Sequence, residues 1–265
     1  MRFCSIASGS SGNCIYTGSD ATNILIDAGI SAKKTIEGLC KLDVKPGELD
    51  GILITHEHSD HIKGIGILCR KYNIPIYATK GTIEGIKSAS SLGEIDDALF
   101  NVVKADEKFF IKDLCINPMK ISHDAKDPVA YRVSYEDKRV AVVTDLGYFD
   151  DYTVESLKGV DILMAEANHD IRMLQVGPYP YYLKQRILSD HGHLSNENAG
   201  RMISRLLHDD MKAIVLGHLS KENNLPELAY ETVRLEIEAA DNKYHGNDFP
   251  LMVAKRECPC DSIEF

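Results

Sequence analysis

The stretch Thr55-His56-Glu57-His58-Ser59-Asp60-His61 follows directly on the apolar run Gly51-Ile52-Leu53-Ile54, which has the character of a buried strand. Four of its side chains have the chemistry of metal ligands: His56, His58, Asp60 and His61. Because residues two apart in an extended segment share a face, His56 and His58 can bind one ion together, while Asp60 and His61 can turn toward a second ion. Imidazole suits zinc, iron and manganese, and a carboxylate tolerates harder ions, so the stretch predicts divalent metals without selecting one.

The alternative interpretation of this stretch is a polar surface loop behind a buried strand. Three of the ten histidines of the chain fall within six residues with an aspartate among them, and this concentration favours the metal site. The metalloprotease pattern His-Glu-x-x-His is excluded, because it requires a histidine where Asp60 stands. Glu57 is therefore not predicted to act as the general base of a metalloprotease.

The pattern His-x-His-x-Asp-His after a strand resembles the signature of the metallo-β-lactamase-fold hydrolases. Three further segments resemble the YycJ (WalJ) branch of that family, and the resemblance extends over nearly the whole chain; they are residues 8–13 (SGSSGN), 190–196 (DHGHLSN) and 217–224 (GHLSKENN). The resemblance implies an α/β fold, a four-layer αβ/βα sandwich with a two-metal cleft at one edge. It also implies a metal-dependent nuclease that acts as a 5′-to-3′ exonuclease on double-stranded DNA.

Length and composition set the outer limits of the interpretation. A chain of 265 residues that is 44% apolar, with no linker-like stretch, predicts one domain over residues 1–265. No apolar run approaches a membrane span and no secretory segment is visible, so we expect a cytoplasmic protein. Seven cysteines do not form a disulfide framework in a chain of this size and are interpreted as reduced thiols. Cys258-Pro259-Cys260 has the form of a metal or redox pair, but such a lone pair is more often incidental.

The formal net charge of −10 argues against a passive nucleic-acid coat protein, which would carry a basic surface. It does not exclude a nuclease. Divalent ions would add positive charge at the place where a phosphate binds, and the acidic ligands themselves raise the negative count.

Several apolar runs end in a polar residue that can serve a metal site. Ile24-Leu25-Ile26 ends in Asp27, Val140–Thr144 ends in Asp145, and Ala213–Leu216 leads to His218. The carboxyl ends of such strands are where α/β proteins collect their ligands. The resemblance implies that Asp145 bridges two metals and that Asp27 supports the ligands without binding metal.

The resemblance also implies a division of the ligands. The first ion is expected to bind His56, His58 and His123, the second Asp60, His61 and His218, with Asp145 shared; His169 and His193 are alternatives to His123. Two divalent ions (Zn, Mn or Fe) would then generate a bridging hydroxide for attack on phosphorus. Asp60 and His193 are the candidate catalytic residues, with His193, or His191 in its place, as the general acid.

Other residues are candidates for contacts with substrate or with the ligands. Tyr residues 179, 181 and 182 lie beside Lys184 and Arg186, as expected where bases stack and phosphates bind; the alternative is a helix with its Tyr face packed in the core. Asn13, in the glycine-punctuated turn, is a candidate for contact with substrate or a ligand. His169 either contacts substrate, supports a ligand or anchors its loop, whereas His208 and His245 are predicted to be surface residues.

Capping signals predict three helices. Ser31 should cap a helix reaching Leu42, and Ser195 a helix with Ala199, Met202, Ile203 and Leu206 inward. Pro226 should open a helix to about Ala240 that is largely apolar at Leu228, Val233, Leu235 and Ile237. A helix over 62–72 and another over 79–97 are also predicted. Alternation of strands and helices favours a layered α/β domain.

Two other functions fit the same metal ligands. The first is hydrolysis of a small cyclic phosphodiester, a thioester or a lactam, because fold alone does not decide the substrate. The second is a regulatory protein that binds metal without turnover, which six intact ligands and Asp145 disfavour. A DNA substrate and no nucleotide cofactor remain the main expectation; the residues do not predict an oligomeric state.

Overall fold

The computed structural model describes residues 1–265. The strands are β1 (Arg2–Ala7), β2 (Cys14–Gly18), β3 (Asn23–Ile26), β4 (Gly51–Leu53), β5 (Ile76–Thr79), β6 (Phe100–Val103), β7 (Phe109–Ile111), β8 (Leu114–Lys120), β9 (Val129–Tyr135), β10 (Lys138–Val143), β11 (Ile162–Glu166), β12 (Ala213–Gly217), β13 (Leu251–Val253) and β14 (Ile263–Glu264). The α-helices are α1 (Ala32–Cys40), α2 (Ser59–Ile62), α3 (Ile65–Tyr72), α4 (Lys80–Ser88), α5 (Asp151–Leu157), α6 (Ile171–Val176), α7 (Tyr181–Ile187), α8 (Asn196–Ser204) and α9 (Pro226–Ala239).

The chain divides into two compact units, each built from separate stretches of sequence. The first unit takes in residues 1–120, 125–138 and 255–265, and the second takes in residues 121–124 and 139–254. One domain over the whole chain therefore stays a prediction. None of the helices combines the length and the apolar character that crossing a membrane requires.

In the first unit, seven strands form a sheet in the order β14-β1-β2-β3-β4-β5-β6. β1 to β3 pair antiparallel, whereas β3 to β6 pair parallel, with Ile26 opposite Leu53 at the carboxyl ends of β3 and β4. Because these two ends lie side by side, the residues that follow them, Asp27 and Thr55, are brought together at one edge of the sheet.

The helices of the first unit begin close to where the sequence predicts and end earlier. Ser31 caps α1 as predicted, its side chain accepting a hydrogen bond from the Lys34 backbone N–H, but the helix ends at Cys40. The predicted helix over 62–72 is interrupted at Gly64, where a Cβ would lie 2.5 Å from the carbonyl oxygen of Ile30. The Gly64 backbone N–H donates to the Ala28 carbonyl at 2.8 Å, and the Asp60 carbonyl that would accept it in a continuous helix accepts the Asn13 backbone N–H instead, so α2 and α3 are separate. In the predicted helix over 79–97, only Lys80–Ser88 is α-helical.

In the second unit, β10 to β13 lie side by side in parallel, in the order β13-β12-β11-β10. The Val, Ile, Leu and Ala side chains of β10, β11 and β12 are buried, the pattern of a parallel sheet that is covered on both faces. Parallel strands all direct their carboxyl ends to one edge, so the residues that close β10, β11 and β12 come together there.

The predicted cap of α8 is confirmed, since the Ser195 side chain accepts a hydrogen bond from the Asn198 backbone N–H and the predicted inward residues are buried. Pro226 opens α9 as predicted, and Val233 and Ile237 are buried. Leu235, another apolar residue of this helix, has a side chain that is 54% exposed. It lies two residues from each of the buried pair and so faces the opposite side of the helix.

Candidate metal centre

The residues 55–61, here called the motif loop, bring three imidazoles into contact. His56 and His58 lie in the extended segment after β4, and Asp60 and His61 lie in α2, for which His58 is the N-cap residue. The His56 ring centroid lies 4.5 Å from that of His58 and 4.1 Å from that of His61. The Asp60 carboxylate is 3.5 Å from His61 Nε2. The extended-then-helical backbone thus gathers all four predicted ligands of the loop.

A buried carboxylate, Asp27, fixes the motif loop from the neighbouring strand. Its Oδ1 accepts the Thr55 backbone N–H at 2.8 Å, and its Oδ2 accepts the Thr55 hydroxyl at 2.8 Å and His61 Nδ1 at 2.7 Å. Since the carboxylate accepts from Nδ1–H, the lone pair of the His61 ring is on Nε2, the atom that can bind a metal ion.

Thr55, which is not among the predicted site residues, fixes the orientation of a second imidazole, that of His56. Its hydroxyl donates its only hydrogen to Asp27, so its contact of 3.0 Å with His56 Nδ1 is one in which the hydroxyl oxygen accepts. The lone pair of His56 is therefore also on Nε2. Its position between a buried strand and a cluster of histidines was the feature of the sequence that could have identified Thr55 as a site residue.

Asn13 and Gly29 hold the backbone of the motif loop. The Asn13 backbone N–H donates to the Asp60 carbonyl at 2.8 Å, and its side-chain amide nitrogen lies 3.2 Å from His61 Nε2. A Cβ at Gly29 would lie 1.6 Å from the same Asp60 carbonyl oxygen. No residue larger than glycine fits at 29 with the loop in this position. Asn13 was predicted to contact either substrate or a ligand, and its side chain lies beside the predicted ligand His61.

In the second unit, Asp145, Glu166, His193 and His218 form what we call the strand-end cluster. Each offers a nitrogen or oxygen atom, and these atoms all lie within 4.8 Å of one another. Asp145 and His218 follow β10 and β12 in left-handed backbone conformations, with φ of 61° and 55°, and Glu166 closes β11. The cluster has the composition of a metal site, two carboxylates and two imidazoles.

Glu166 is the centre of this cluster and was missed as a site residue in the sequence. Its Oε1 accepts His193 Nδ1 and His218 Nδ1, both at 2.8 Å, and its Oε2 accepts the backbone N–H groups of Leu146 and Leu194. Burial alone would raise the pKa of Glu166, but the His193 charge and the hydrogen bonds of both imidazoles lower it. A carboxylate closing a buried strand, the signal that identified Asp27 and Asp145, was present here too.

The environment of His193 suits a proton donor. Burial lowers its pKa, but the Glu166 carboxylate, by its charge and its hydrogen bond, and the Asp145 charge raise the pKa above the usual value. Its Nδ1 lies 3.6 Å from Asp145 Oδ1, and its side chain is 18% exposed. The two carboxylates therefore favour the protonated form of the His193 ring.

His123 lies near the Asp145 carboxylate. Its Nδ1 donates to the Gly192 carbonyl at 3.1 Å, and its Nε2 lies 3.6 Å from Asp145 Oδ1. Burial is the main reason that the pKa of His123 is lowered, which keeps the ring neutral, as a metal ligand must be. Its ring centroid is 5.2 Å from that of His193.

Asparagines fasten the loop that carries His218. The Asn168 amide donates to the His218 carbonyl at 2.9 Å, and the Asn224 amide donates to the carbonyls of Ala167 and Asn168 at 2.9 and 3.0 Å. Asn224 also pairs with Asn196 at the start of α8. Asn168, Asn196 and Asn224 thus form one hydrogen-bonded network that holds the His218 backbone.

His169 occupies a different environment from the ligand candidates. Its backbone accepts the Asn196 N–H at 2.9 Å, but both ring nitrogens are buried without a hydrogen-bond partner. Burial lowers the pKa of His169 to about 4. Its ring is not among the atoms gathered around Asp145, and its backbone has the geometry of a loop anchor.

The surface around α7 carries the predicted aromatic and basic residues. Tyr181 and Tyr182 are 76% and 75% exposed, so the alternative of a Tyr face packed in the core is wrong for both. Lys184 donates to the Gln175 carbonyl at 2.7 Å, and Arg186 pairs with the Asp124 carboxylate. His191 Nδ1 contacts the Ser122 hydroxyl at 2.9 Å, outside the cluster.

The two remaining histidines differ from each other. His245 is exposed as predicted, with its Nδ1 3.1 Å from Glu238 Oε1, whereas His208 is half-buried and its Nε2 contacts the Val160 carbonyl at 2.9 Å. Neither lies among the grouped metal-binding atoms.

The donor set fits divalent metal ions. Four imidazoles, His56, His61, His123 and His218, are each held at Nδ1 by an oxygen of the protein. A ligand imidazole needs its outer nitrogen fixed in this way, because the contact sets the tautomer and the ring orientation.

Comparisons with known proteins bear on the fold and on the class of protein. Residues 22–218 match the family described as "Beta-lactamase superfamily domain". The exodeoxyribonuclease WalJ of Streptococcus pneumoniae serotype 2 is 42% identical over 241 residues, covering 91% of this chain and 90% of the relative. The exodeoxyribonuclease YycJ of Bacillus anthracis is 40% identical over 239 residues, covering 90% and 89%. The solved structure of the metallo-beta-lactamase fold protein YhfI from Bacillus subtilis has a TM-score of 0.71 at 18% identity, covering 98% of this chain and 100% of that one. The predicted α/β fold and family resemblance are confirmed.

Proposed function

We propose that this chain, which belongs to the beta-lactamase superfamily, is a metal-dependent phosphodiesterase. We further propose that it degrades double-stranded DNA as a 5′-to-3′ exonuclease. The observation that carries the proposal is the set of four imidazoles held at Nδ1, which prepares them to bind metal. Support for DNA as substrate comes from the two exodeoxyribonuclease relatives, which align over most of their length. The family match spans residues of both units, which supports one hydrolase domain over 1–265.

The proposed ligands follow the family resemblance. They are His56, His58 and His123 for the first ion, Asp60, His61 and His218 for the second, and Asp145 for both. Bound divalent ions would supply Lewis-acid stabilisation of the phosphoryl oxygens and a water of lowered pKa. The mixture of imidazole and carboxylate favours zinc or manganese, with iron a further fit. A DNA substrate and the reduced cysteines support a cytoplasmic enzyme.

His193 is the proposed general acid. Glu166 accepts its Nδ1–H and raises the pKa of the ring, which favours the protonated form, so Nε2–H is the proton available for the departing oxygen. The same carboxylate oxygen accepts His218 Nδ1, so Glu166 orients a proposed ligand and the proposed acid together. Asp60 is proposed to act as a ligand, without transferring a proton of its own.

The surface of α7 is proposed to bind the DNA strand. Two exposed tyrosines, Tyr181 and Tyr182, offer ring faces for bases, and stacking of one base on an aromatic ring contributes about 1–3 kcal/mol. Lys184 and Arg186 lie on the same helix and supply positive charge to a chain whose net charge is −10. Asn13 is proposed to support His61, and His169 to anchor its loop.

The test is an assay of metal-loaded protein on duplex DNA labelled at either the 5′ or the 3′ end, on single strands, and on bis-p-nitrophenyl phosphate. We expect immediate release of the 5′ label from duplex DNA and late release of the 3′ label. The matched control is His245→Ala, which removes an exposed histidine far from the motif in sequence and should leave activity unchanged. Cleavage of the dye ester alone would indicate a small-phosphodiester hydrolase, and no cleavage of any substrate a metal-binding regulatory protein.

A further inference from the structure

The two thiols of Cys4 and Cys260 lie next to each other although the residues are far apart in sequence. Their Sγ atoms are 3.9 Å apart. Cys4 is a fully buried residue of β1, and Cys260 is a half-buried residue of segment 255–265, which runs along β1. The Cys260 backbone N–H donates to the Ser5 carbonyl at 2.9 Å, so the pair is fixed by backbone contacts.

The surroundings of the two sulfur atoms are unequal. The Ser5 backbone N–H donates to Cys260 Sγ at 3.1 Å, while the Cys4 thiol lies 3.3 Å from the Cys260 carbonyl that accepts its hydrogen. The contact with Cys4, followed by that with Ser5, lowers the pKa of Cys260 to about 7, whereas the same contact and burial raise the pKa of Cys4. The Cys260 sulfur is thus prepared to react first, as a thiolate, and the Cys4 sulfur to react second, as a thiol.

We propose that Cys4 and Cys260 form a reversible disulfide when the protein meets a peroxide, and that this bond fastens segment 255–265 across β1. The Cys260 thiolate attacks one peroxide oxygen, the O–O bond breaks, hydroxide leaves, and a sulfenic acid forms. The Cys4 sulfur then attacks the Cys260 sulfur, the S–O bond breaks, and the oxygen leaves as water. The two thiols are oxidised and one peroxide is reduced to two waters.

The geometry requires only a short movement. The sulfur atoms must approach from 3.9 Å to the disulfide bond length of about 2.05 Å, which rotation of the two side chains can supply on neighbouring antiparallel segments. The segment already contacts β1 through Cys260 and Ser5 and through Ile263 and Phe3, and it contacts Ser8, the residue after β1, through Lys255. A disulfide in the middle would prevent the segment from detaching, because local opening would then require movement of β1 as well.

Cys258 provides the matched control. It lies two residues from Cys260 in the same segment and is exposed, and no contact joins it to Cys4. If exposure governed oxidation, Cys258 would react first. If the geometry of the pair governs it, Cys258 has no part in the bond.

The experiment treats the reduced full-length protein with one equivalent of hydrogen peroxide, alkylates the remaining thiols and maps the peptides by mass spectrometry. We expect the number of alkylated cysteines to fall by two from seven, with a linked peptide pair that contains Cys4 and Cys260 and is released by dithiothreitol. Amide hydrogen exchange over 255–265 should slow in the oxidised protein.

The variant C258S should keep the full loss of two thiols, and C260S should abolish it. C260S is the decisive variant, because a half-buried position tolerates serine better than the buried Cys4 does. A linked pair containing Cys258, a loss of two thiols that persists in C260S, or accumulation of a sulfinic acid at Cys260 without a link would each overturn the proposal.

Discussion

The motif loop and the strand-end cluster place similar side chains by opposite routes. The motif loop takes its four predicted ligands from residues 55–61 and receives their support from a distant residue, Asp27. The strand-end cluster takes its members from the ends of three strands and a loop, and Glu166 lies at its centre. In the motif loop the predicted ligands are close together in sequence, and the residue that supports them is distant. In the strand-end cluster the supporting residue and the residues it contacts are all distant from one another in sequence.

The two supporting carboxylates differ in what they hold. Asp27 accepts hydrogen bonds from one imidazole and from both donors of Thr55, a residue that can reverse its hydroxyl. Glu166 accepts from two imidazoles and from two backbone N–H groups, none of which can turn away. The loop should therefore adapt to a lost charge, whereas the cluster should not, and the pair Asp27→Asn and Glu166→Gln tests this difference.

The largest effect is expected for His58→Ala in the motif loop. Loss of a proposed ligand should remove bound metal and lower kcat/KM on duplex DNA by on the order of 10⁴-fold or more, because Lewis-acid stabilisation and activation of water are lost together. Element-resolved metal analysis and the end-label assay measure the two losses. Retention of both metal and activity would remove His58 from the ligand set.

His193→Ala in the strand-end cluster should keep the metal and slow turnover. Removal of a general acid lowers kcat by about 10²–10³-fold when binding is unaffected. Metal analysis beside kcat on duplex DNA separates this result from that of His58→Ala. Equal metal loss in the two variants would show that His193 is a ligand and that the assignment of the acid is wrong.

A matched pair, Glu166→Gln and Asp27→Asn, compares the two supports directly. In Glu166→Gln an amide NH₂ must face two N–H donors, so we expect roughly 10–100-fold weaker metal binding and a loss of about 1–3 kcal/mol in the free energy of unfolding. Asp27→Asn should weaken metal binding but cost less stability, because the Thr55 hydroxyl can reverse. Metal titration and urea unfolding measure both quantities. Equal stability losses would contradict the proposed difference.

The smallest effect concerns stability in acid and comes from His169, beside the cluster. The folded pKa of about 4 lies below the ordinary 6.5, so between these values the unfolded chain binds a proton that the folded chain does not. His169 therefore has no effect above pH 6.5 and costs about 2 kcal/mol of stability at pH 5. Urea unfolding should show that the free energy of unfolding of His169→Gln rises relative to that of the unsubstituted protein between pH 7.5 and pH 5. The exposed control His245→Gln should show no such gain.

The parts of the fold that the sequence predicted are those that depend on local patterns. Buried strands followed by Asp27, Asp145 and His218 were visible because an apolar run ending in a polar residue needs no partner to be recognised. The caps Ser31 and Ser195 were visible for the same reason. The break at Gly64 was not, because it depends on hydrogen bonds with Ala28 and Asn13, which are distant in sequence.

The candidate site shows the same limit. Every ligand in the motif loop follows from spacing within seven residues, and the family resemblance supplied the rest. Glu166 and Thr55 were missed because their importance is in what they touch, an imidazole 27 or 52 residues away for Glu166 and a carboxylate 28 residues away for Thr55. Exposure of Tyr181 and Tyr182 likewise depends on how a seven-residue helix packs, which periodicity over so short a span does not determine.

The left-handed backbone at Asp27, Asp145 and His218 has a consequence for protein engineering. At such positions a non-glycine residue costs on the order of 1–2 kcal/mol relative to glycine, and aspartate tolerates the conformation better than most. Glycine at 218 would relieve this cost, but it would also remove the Nδ1–H group that the buried Glu166 carboxylate accepts. Backbone relief at this position therefore gives no route to heat resistance, and any thermostabilised variant has to be selected together with turnover.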